Sequence, residues 1–383
     1  MINLDKNTCV GCSACASVCT KNCIKMIVDE EGFSYPQIDT DKCVGCGMCD
    51  KVCPALHSAS PVEISDSYAV YSNSDEVRLN SSSGGVFYYL AEYVIKNGGV
   101  VFGAAFDDDW NVSHIAVEKT EDLTKVQRSK YLQSNTNGVF EKVKNVLNDG
   151  KLVLFSGTPC QCGGLSLYLN KNYDNLILVD FICHGVPSPL VWQKYLNYMA
   201  KGRVVKNINF RDKIIGWQKF SFTVEYNDGT RYSAPFFENT YMNLFLKDYI
   251  LRPSCYNCSS KYPNKYSDIT LGDLWGADII IPNHDDKGIT LALINSDKGR
   301  KVFENIKNCM NVVPVNSGDA FKYNPNALSS ASMPENRQII FDYLSSSNYD
   351  FDEVNKKFLK NKDSLIKKSK RAVKRIIKKF AKV

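Results

Sequence analysis

The 383-residue sequence has no export signal and no membrane span. Its opening residues, Met1-Ile-Asn-Leu-Asp-Lys6, hold no basic stretch leading into an apolar core, and no apolar run approaches the roughly eighteen residues that a bilayer-crossing helix needs. A cytoplasmic protein is expected. Nor do the cysteines suit a disulfide framework: there are fifteen, an odd number, in a chain without an export signal. That pattern points to thiolates held as metal ligands in a reducing compartment. With 44% hydrophobic and 23% charged residues the composition is that of a globular protein of two or three domains, which excludes disorder and collagen-like repeats.

Charge is unevenly spread. The net charge is +6, yet residues 360–382 alone hold eleven Lys or Arg against one acid, Asp363, so the chain before them is slightly acidic. The apolar residues Leu365, Ile366, Val373, Ile376, Ile377 and Phe380 recur there at helical spacing. The expectation is a carboxyl-terminal basic amphipathic helix, of the kind that lies on the anionic cytoplasmic face of a membrane. A helix packed on the body with a solvated basic face is the other reading. No nucleic-acid recognition motif accompanies the basic residues, so nucleic acid is not an expected partner.

Nine cysteines precede residue 54, in an internal repeat: Cys9-Val-Gly-Cys-Ser-Ala-Cys-Ala-Ser-Val-Cys19 is echoed by Cys43-Val-Gly-Cys-Gly-Met-Cys-Asp-Lys-Val-Cys53-Pro54. A C-x2-C-x2-C-x3-C run sets three thiolates on one tight loop and sends the fourth to the other cluster of a two-cluster ferredoxin. Cys9, Cys12, Cys15 and Cys53 are therefore expected to hold one 4Fe–4S cluster, and Cys43, Cys46, Cys49 and Cys19 a second. Zinc, the competing metal, usually takes two separated Cys-x2-Cys pairs. The first run ends in Thr20 where the second has Pro54, and Cys23 is a ninth cysteine, read as a buried filler or an alternative ligand. Ile24 to Ile38 reads as a short hairpin turning at Asp29-Glu30-Glu31-Gly32, and Ser58 to Ser67 as a linker.

Beyond Tyr68, strand-like runs alternate with helical ones, which predicts mixed α/β architecture. Three cysteine-bearing stretches stand out: Gly157-Thr-Pro-Cys160-Gln-Cys162-Gly-Gly164, Asp180-Phe-Ile-Cys183-His-Gly185 and Arg252-Pro-Ser-Cys255-Tyr-Asn-Cys258. Each reads as a strand end, turn or Gly/Pro loop, where sites are built. Four of these cysteines can close a third cubane; otherwise Cys160, Cys162 and Cys183 are plain small hydrophobes. Ser81-Ser-Ser-Gly-Gly-Val-Phe87, ahead of a helical run, has the parts of an anion site or of an ordinary helix cap. Ser129-Lys-Tyr-Leu-Gln-Ser134 offers a cation, an aromatic face and donors that suit a dinucleotide, or is a surface loop.

Taken together, Ser82-Ser-Gly-Gly85, Ser129-Lys-Tyr131, Gly157-Thr-Pro-Cys-Gln161, Cys183-His-Gly-Val186, Cys255-Tyr-Asn-Cys258 and Ser267-Asp-Ile-Thr-Leu-Gly-Asp-Leu-Trp-Gly276 resemble the beta-subunit family of coenzyme F420 hydrogenases and dehydrogenases. The version resembled is the one fused to an amino-terminal two-cluster ferredoxin, over residues 1 to about 330. The resemblance implies an α+β chain with a bacterial-type ferredoxin module over 1–57, the linker over 58–67 and a mixed α/β flavin-binding body divided into 68–150 and 151–330; the helical tail over 331–383, with its basic amphipathic end, is read from the spacing above. It implies a third 4Fe–4S cluster on Cys160, Cys183, Cys255 and Cys258, with Cys162 a spare or a competitor for the Cys160 position. It also implies FAD contacted by Ser82, Ser83, Gly84, Gly85, Ser129, Lys130 and Tyr131, with Asp273 in a loop near the flavin or the third cluster. Clusters carry single electrons and a flavin converts these to two-electron chemistry. The expected activity is that of an oxidoreductase exchanging electrons between a ferredoxin or partner redox subunit and a two-electron small molecule, coenzyme F420 or another, including a sugar intermediate of a surface-polysaccharide pathway. The alternative is a non-catalytic subunit that wires a partner enzyme to ferredoxin. Among four histidines, His184 is the candidate acid or base, with a structural hydrogen-bonding role as its other reading.

Overall fold

The computed structural model describes residues 2–360, so the basic amphipathic segment from Leu365 onward lies outside the described residues. Among the described residues no helix is long and apolar enough to cross a membrane.

The repeat in the sequence is a repeat in the backbone. Gly11 and Gly45 adopt φ of +69° and +66°, and Ser13 and Gly47, two residues on in each copy, adopt +63° and +73°. Each copy thus bends through the left-handed region twice before a short helix, Ala14–Val18 or Met48–Lys51, which carries the third cysteine of its run. Between the copies, β1 (Ile24–Val28) and β2 (Ser34–Ile38) pair antiparallel. Their turn is fixed by Asp29, whose Oδ1 accepts from the amides of Glu31 (3.0 Å) and Phe33 (2.9 Å).

The body is built on one eight-stranded sheet: β3 (Asp66–Ser72), β4 (Val100–Phe106), β5 (Val112–Val117), β6 (Val153–Ser156), β7 (Leu176–Phe181), β11 (Ile269–Asp273), β12 (Thr290–Ile294) and β13 (Met310–Pro314), in the spatial order β13-β3-β12-β11-β7-β6-β4-β5. The four central strands β4, β6, β7 and β11 run parallel, and the flanking pairs are antiparallel. Both faces of the centre are covered, and alternate residues serve each. Val101, Leu154 and Ile177 join the core under the helices Val86–Lys96 and Asp297–Ile306, while Phe102, Phe155 and Leu178 join the core under Val139–Asn148 and Pro159–Leu169. A smaller antiparallel sheet, β8 (Val205–Asp212), β9 (Ser221–Tyr226) and β10 (Arg231–Pro235), closes an aromatic core of Trp192, Tyr195, Phe210, Phe222 and Tyr241 with the helices Pro189–Ala200, Thr240–Leu246 and Arg337–Ser345.

One expectation changes. The stretch 157–164 is not a loop: Pro159 opens a helix that runs to Leu169, with Thr158 and Gln161 forming a reciprocal cap. Strands from 66–117 and from 153–314 interleave in the one sheet. Residues 58–67 are bound to the body: Val62 N donates to Pro263 O (2.9 Å), Ser65 N to Ile294 O (3.1 Å), and the last two residues already belong to β3.

Candidate electron-transfer site

Parallel strands gather chemistry at their carboxyl ends, where the following loops and helix amino termini converge. Cys160 follows β6 as the second residue of the Pro159–Leu169 helix, and Cys183 follows β7 by two residues. The 3-10 turn Pro253–Asn257 brings Cys255, with Cys258 just after it, to the same edge. These four cysteines line one pocket, together with Val10, Arg252, Lys261 and Lys265. Cys162, two residues beyond Cys160, turns away into the core and is fully buried there with its Sγ 3.7 Å from Val179 O.

A second pocket is lined by Cys9, Cys12, Cys15 and Cys53 together. Val10 lines both pockets, and the Cys12 thiol feels the field of Cys160, so the two sites are neighbours. Toward the other end of the module, Cys15 lies in the field of Cys49. Cys19, Cys43 and Cys49 share one cluster of side chains with Cys23, whose Sγ is 3.3 Å from that of Cys19, and Cys46 is exposed.

Each pocket gathers four cysteines, the ligand number of a 4Fe–4S cluster. Among the described residues no three His, Cys, Asp or Glu side chains gather as a single metal ion would need. Tetrahedral zinc holds its sulfurs roughly 3.8 Å apart, whereas in a cubane each sulfur meets a different iron and the four stand wider around a shared space. Burial pushes the Cys15, Cys160, Cys183 and Cys255 thiols up to about 12. Thiolates form there when a metal takes the place of the proton. The charge around the Cys160 pocket fits an anionic group: besides Arg252, Lys261 Nζ donates to Cys183 O (2.7 Å) and Lys265 Nζ is paired with the buried Asp180 (2.9 Å).

Residues 150–317 match the family model for the C terminus of the coenzyme F420 hydrogenase/dehydrogenase beta chain, and residues 2–59 match the 4Fe–4S dicluster domain. The chain carries the C-terminal domain of the coenzyme F420 hydrogenase/dehydrogenase beta subunit behind a 4Fe–4S dicluster domain. It is an iron–sulfur electron-transfer protein related to the beta subunit of that oxidoreductase. Among solved structures, a chain of the F420-reducing NiFe hydrogenase complex from Methanosarcina barkeri, from a xenon-derivatised crystal, is similar at a TM-score of 0.47 and 16% identity, over 70% of this chain and 91% of that one. A comparison with curated protein sequences gives no match.

The remaining motifs meet beside the cysteine pocket's edge of the sheet. β3 is antiparallel to β12 and β12 to β11, so β3 runs in the direction of β11 and the loop after it lies at the same carboxyl edge. Ser82 Oγ in that loop is 2.8 Å from Ser129 Oγ, which joins the Ser82–Gly85 segment to Ser129–Tyr131. Tyr131 continues the chain of contacts: its hydroxyl accepts from Arg211 Nη1 (3.1 Å), and Arg211 is paired with Asp273 (2.7 Å), which also accepts from Trp217 Nε1 (2.9 Å). The fit to a dinucleotide is partial. Ser82, Ser129 and the Gly85 end of the Val86–Lys96 helix leave donors at the edge, but the Lys130 ammonium turns inward to Lys125 O (2.8 Å) and Gln127 O (2.6 Å), and Ser83 Oγ donates to Ile289 O (2.7 Å). Burial, with Arg128 nearby, pulls Lys130 down to about 7. Gly84 has no Cβ because one would meet Val70 O at 2.1 Å; its role is close packing against β3.

His184 stands in the wall of the cysteine pocket, apart from the serine loops. Its Nδ1 accepts from Asn326 Nδ2 (2.8 Å) and its Nε2 faces Asp248 at 2.7 Å. Sequence reading did not single out Arg252, Lys261, Lys265 or Arg211, although Arg252 lies three residues before Cys255.

Proposed function

We propose that the chain is an iron–sulfur flavoprotein oxidoreductase. In this reading Cys43, Cys46, Cys49 and Cys19 hold the outermost cluster, Cys9, Cys12, Cys15 and Cys53 the middle one, and Cys160, Cys183, Cys255 and Cys258 the innermost, with FAD at the adjoining edge of the sheet. The observation that carries it is the pair of neighbouring four-cysteine pockets sharing Val10. The outer face, where Cys46 is exposed, receives single electrons from a ferredoxin or partner redox subunit in the cytoplasm. FAD, when bound, supplies the exchange between one-electron and two-electron chemistry. Ser82, Ser129 and the Gly85 end of the Val86–Lys96 helix are the contacts proposed for it, while Ser83, Gly84, Lys130, Tyr131 and Asp273 hold their loops in place through the packing and inward bonds described above. The substrate class is a two-electron small molecule, such as coenzyme F420.

Iron and flavin analysis of protein purified without oxygen tests this. Three four-iron clusters and one flavin require about twelve irons and one FAD per chain, and Cys183→Ser with Cys258→Ser should lower the iron to about eight. Eight irons in the unaltered protein would remove the innermost cluster. Twelve irons without flavin would favour the second reading, a subunit that conducts electrons to a partner's catalytic site; the inward bonds of Lys130 and Ser83 are the observation on its side.

A further inference from the structure

Four arginines of the body are almost wholly buried: Arg78, Arg211, Arg252 and Arg337, each 5% exposed or less. Three have a carboxylate partner. Arg78 pairs with Asp285, Arg211 with Asp273 and Arg337 with Glu31. Arg252, the most deeply buried at 1% exposed, has none among the described residues. Its donors go to neutral acceptors: Nε to Cys9 O (2.8 Å), Nη1 to Gln133 Oε1 (2.9 Å) and Nη2 to Ser34 O (3.0 Å), with the ring of Tyr35 4.2 Å from the guanidinium carbon. Hydrogen bonds satisfy its geometry but leave its charge without a counter-ion, and an uncompensated buried charge costs several kcal/mol.

The missing negative charge is available on both sides. Arg252 Nη2 is 3.7 Å from Cys9 Sγ, a member of the first four-cysteine pocket, and Arg252 itself lines the second, beside Cys160 and Cys255. The backbone is shaped to admit it. Gly11, at φ +69°, would with a Cβ come within 2.7 Å of Arg252 Nη1, so the loop of the first pocket closes over the guanidinium only because residue 11 is glycine.

We propose that Arg252 is the shared counter-ion of the middle and innermost clusters and raises the reduction potentials of both. This rests on the assignment of clusters to the two pockets. Each cluster with its four thiolates is anionic and gains one further negative charge on reduction. A fixed cation against it favours the reduced form, and net charge and hydrogen bonds to the sulfurs are among the terms that set cluster potentials. Standing between the two, one guanidinium keeps their potentials in step, so an electron passes from one to the other without a large uphill step.

The test is a redox titration followed by electron paramagnetic resonance, on full-length protein, with iron analysis alongside. Arg252→Gln keeps donors and removes the charge; it should lower two of the three potentials by at least a tenfold shift in the reduced-to-oxidised ratio, 59 mV for one electron. The outermost cluster, whose ligands Arg252 does not touch, should be unmoved. Arg252→Lys should keep both potentials within threefold of the unaltered protein. Gln133→Glu provides a variant that leaves the arginine in place and neutralises it with a carboxylate where Gln133 Oε1 now accepts; it should reproduce the fall. Full iron content with no selective shift in Arg252→Gln or Gln133→Glu would overturn the proposal alone. An equal shift of all three clusters would do the same, since it would mark general disruption. Eight irons in the unaltered protein would instead overturn the cluster assignment beneath it.

Discussion

His114 is held neutral by its surroundings. Its Nε2 donates to Ser156 O (2.9 Å), which leaves Nδ1 to accept from Ser134 Oγ (2.7 Å), and the ring stacks on Phe155. Burial pulls its pKa from 6.5 to about 4. Between those values the unfolded chain binds the proton and the folded one does not, so the histidine's contribution to stability is present above pH 6.5 and is lost as pH falls toward 4. The whole loss is roughly 3 kcal/mol, since one pKa unit is about 1.4 kcal/mol. His114→Gln, whose amide can make both bonds, should flatten the rise in thermal midpoint between pH 5 and 6.5; a slope equal to that of the unaltered protein would refute this account. The same scale shows what the sequence could reveal about the site. Ferredoxin cysteines announce their ligation by spacing alone. Arg252 does not announce its role, because its partners Cys9, Ser34 and Gln133 lie 243, 218 and 119 residues away.

Among the elements, β5 and the helix Pro189–Ala200 are legible from their apolar periodicity, with proline marking the helix start, and β12 from its short continuous apolar run, buried at every position. The helix Pro159–Leu169 was hidden by its own chemistry. Pro159, Gly163 and Gly164 look like loop residues, and with both faces buried the helix shows no polar stripe. Its glycines serve packing: a Cβ on Gly163 would meet the Tyr266 ring at 3.0 Å, and one on Gly164 would meet Cys12 Sγ at 2.8 Å. The helix therefore lies directly against Cys12 of the ferredoxin module. In a free helix Gly→Ala stabilises by about 1 kcal/mol. Here Gly164→Ala should do the opposite, lowering the thermal midpoint and releasing about four irons as the middle cluster loses its Cys12 geometry. A raised midpoint with full iron would show that the module has room to move.

At the scale of the whole molecule, the ferredoxin module is seated by residues that no local pattern could have paired. Arg337, 306 residues from Glu31, donates to both of its carboxylate oxygens at 2.7 and 2.5 Å, and also to Leu251 O at 2.8 Å. Ser188 Oγ donates to Glu31 O, and Thr136 Oγ1 to Cys12 O (2.9 Å). The β1–β2 turn is thus clamped between the body and the helix Arg337–Ser345, where Glu31 and Phe33 are both buried. Glu31→Gln removes the charge and keeps the shape, leaving the Arg337 guanidinium buried without its partner. Breaking one half of such a pair costs about 3–5 kcal/mol. Because the pair bridges module and body, the cost falls on their contact. The expected outcome is earlier proteolytic cleavage within residues 58–65 as the module's seat loosens, together with slower electron passage from the outermost cluster to the innermost. Double substitution of Glu31 and Arg337 by Gln and Leu should recover most of the stability, since it removes both charges at once. If Glu31→Gln instead unfolds module and body in one unchanged transition, with the connecting segment protected as before, then the clamp is redundant and the other contacts across the interface suffice to seat the module.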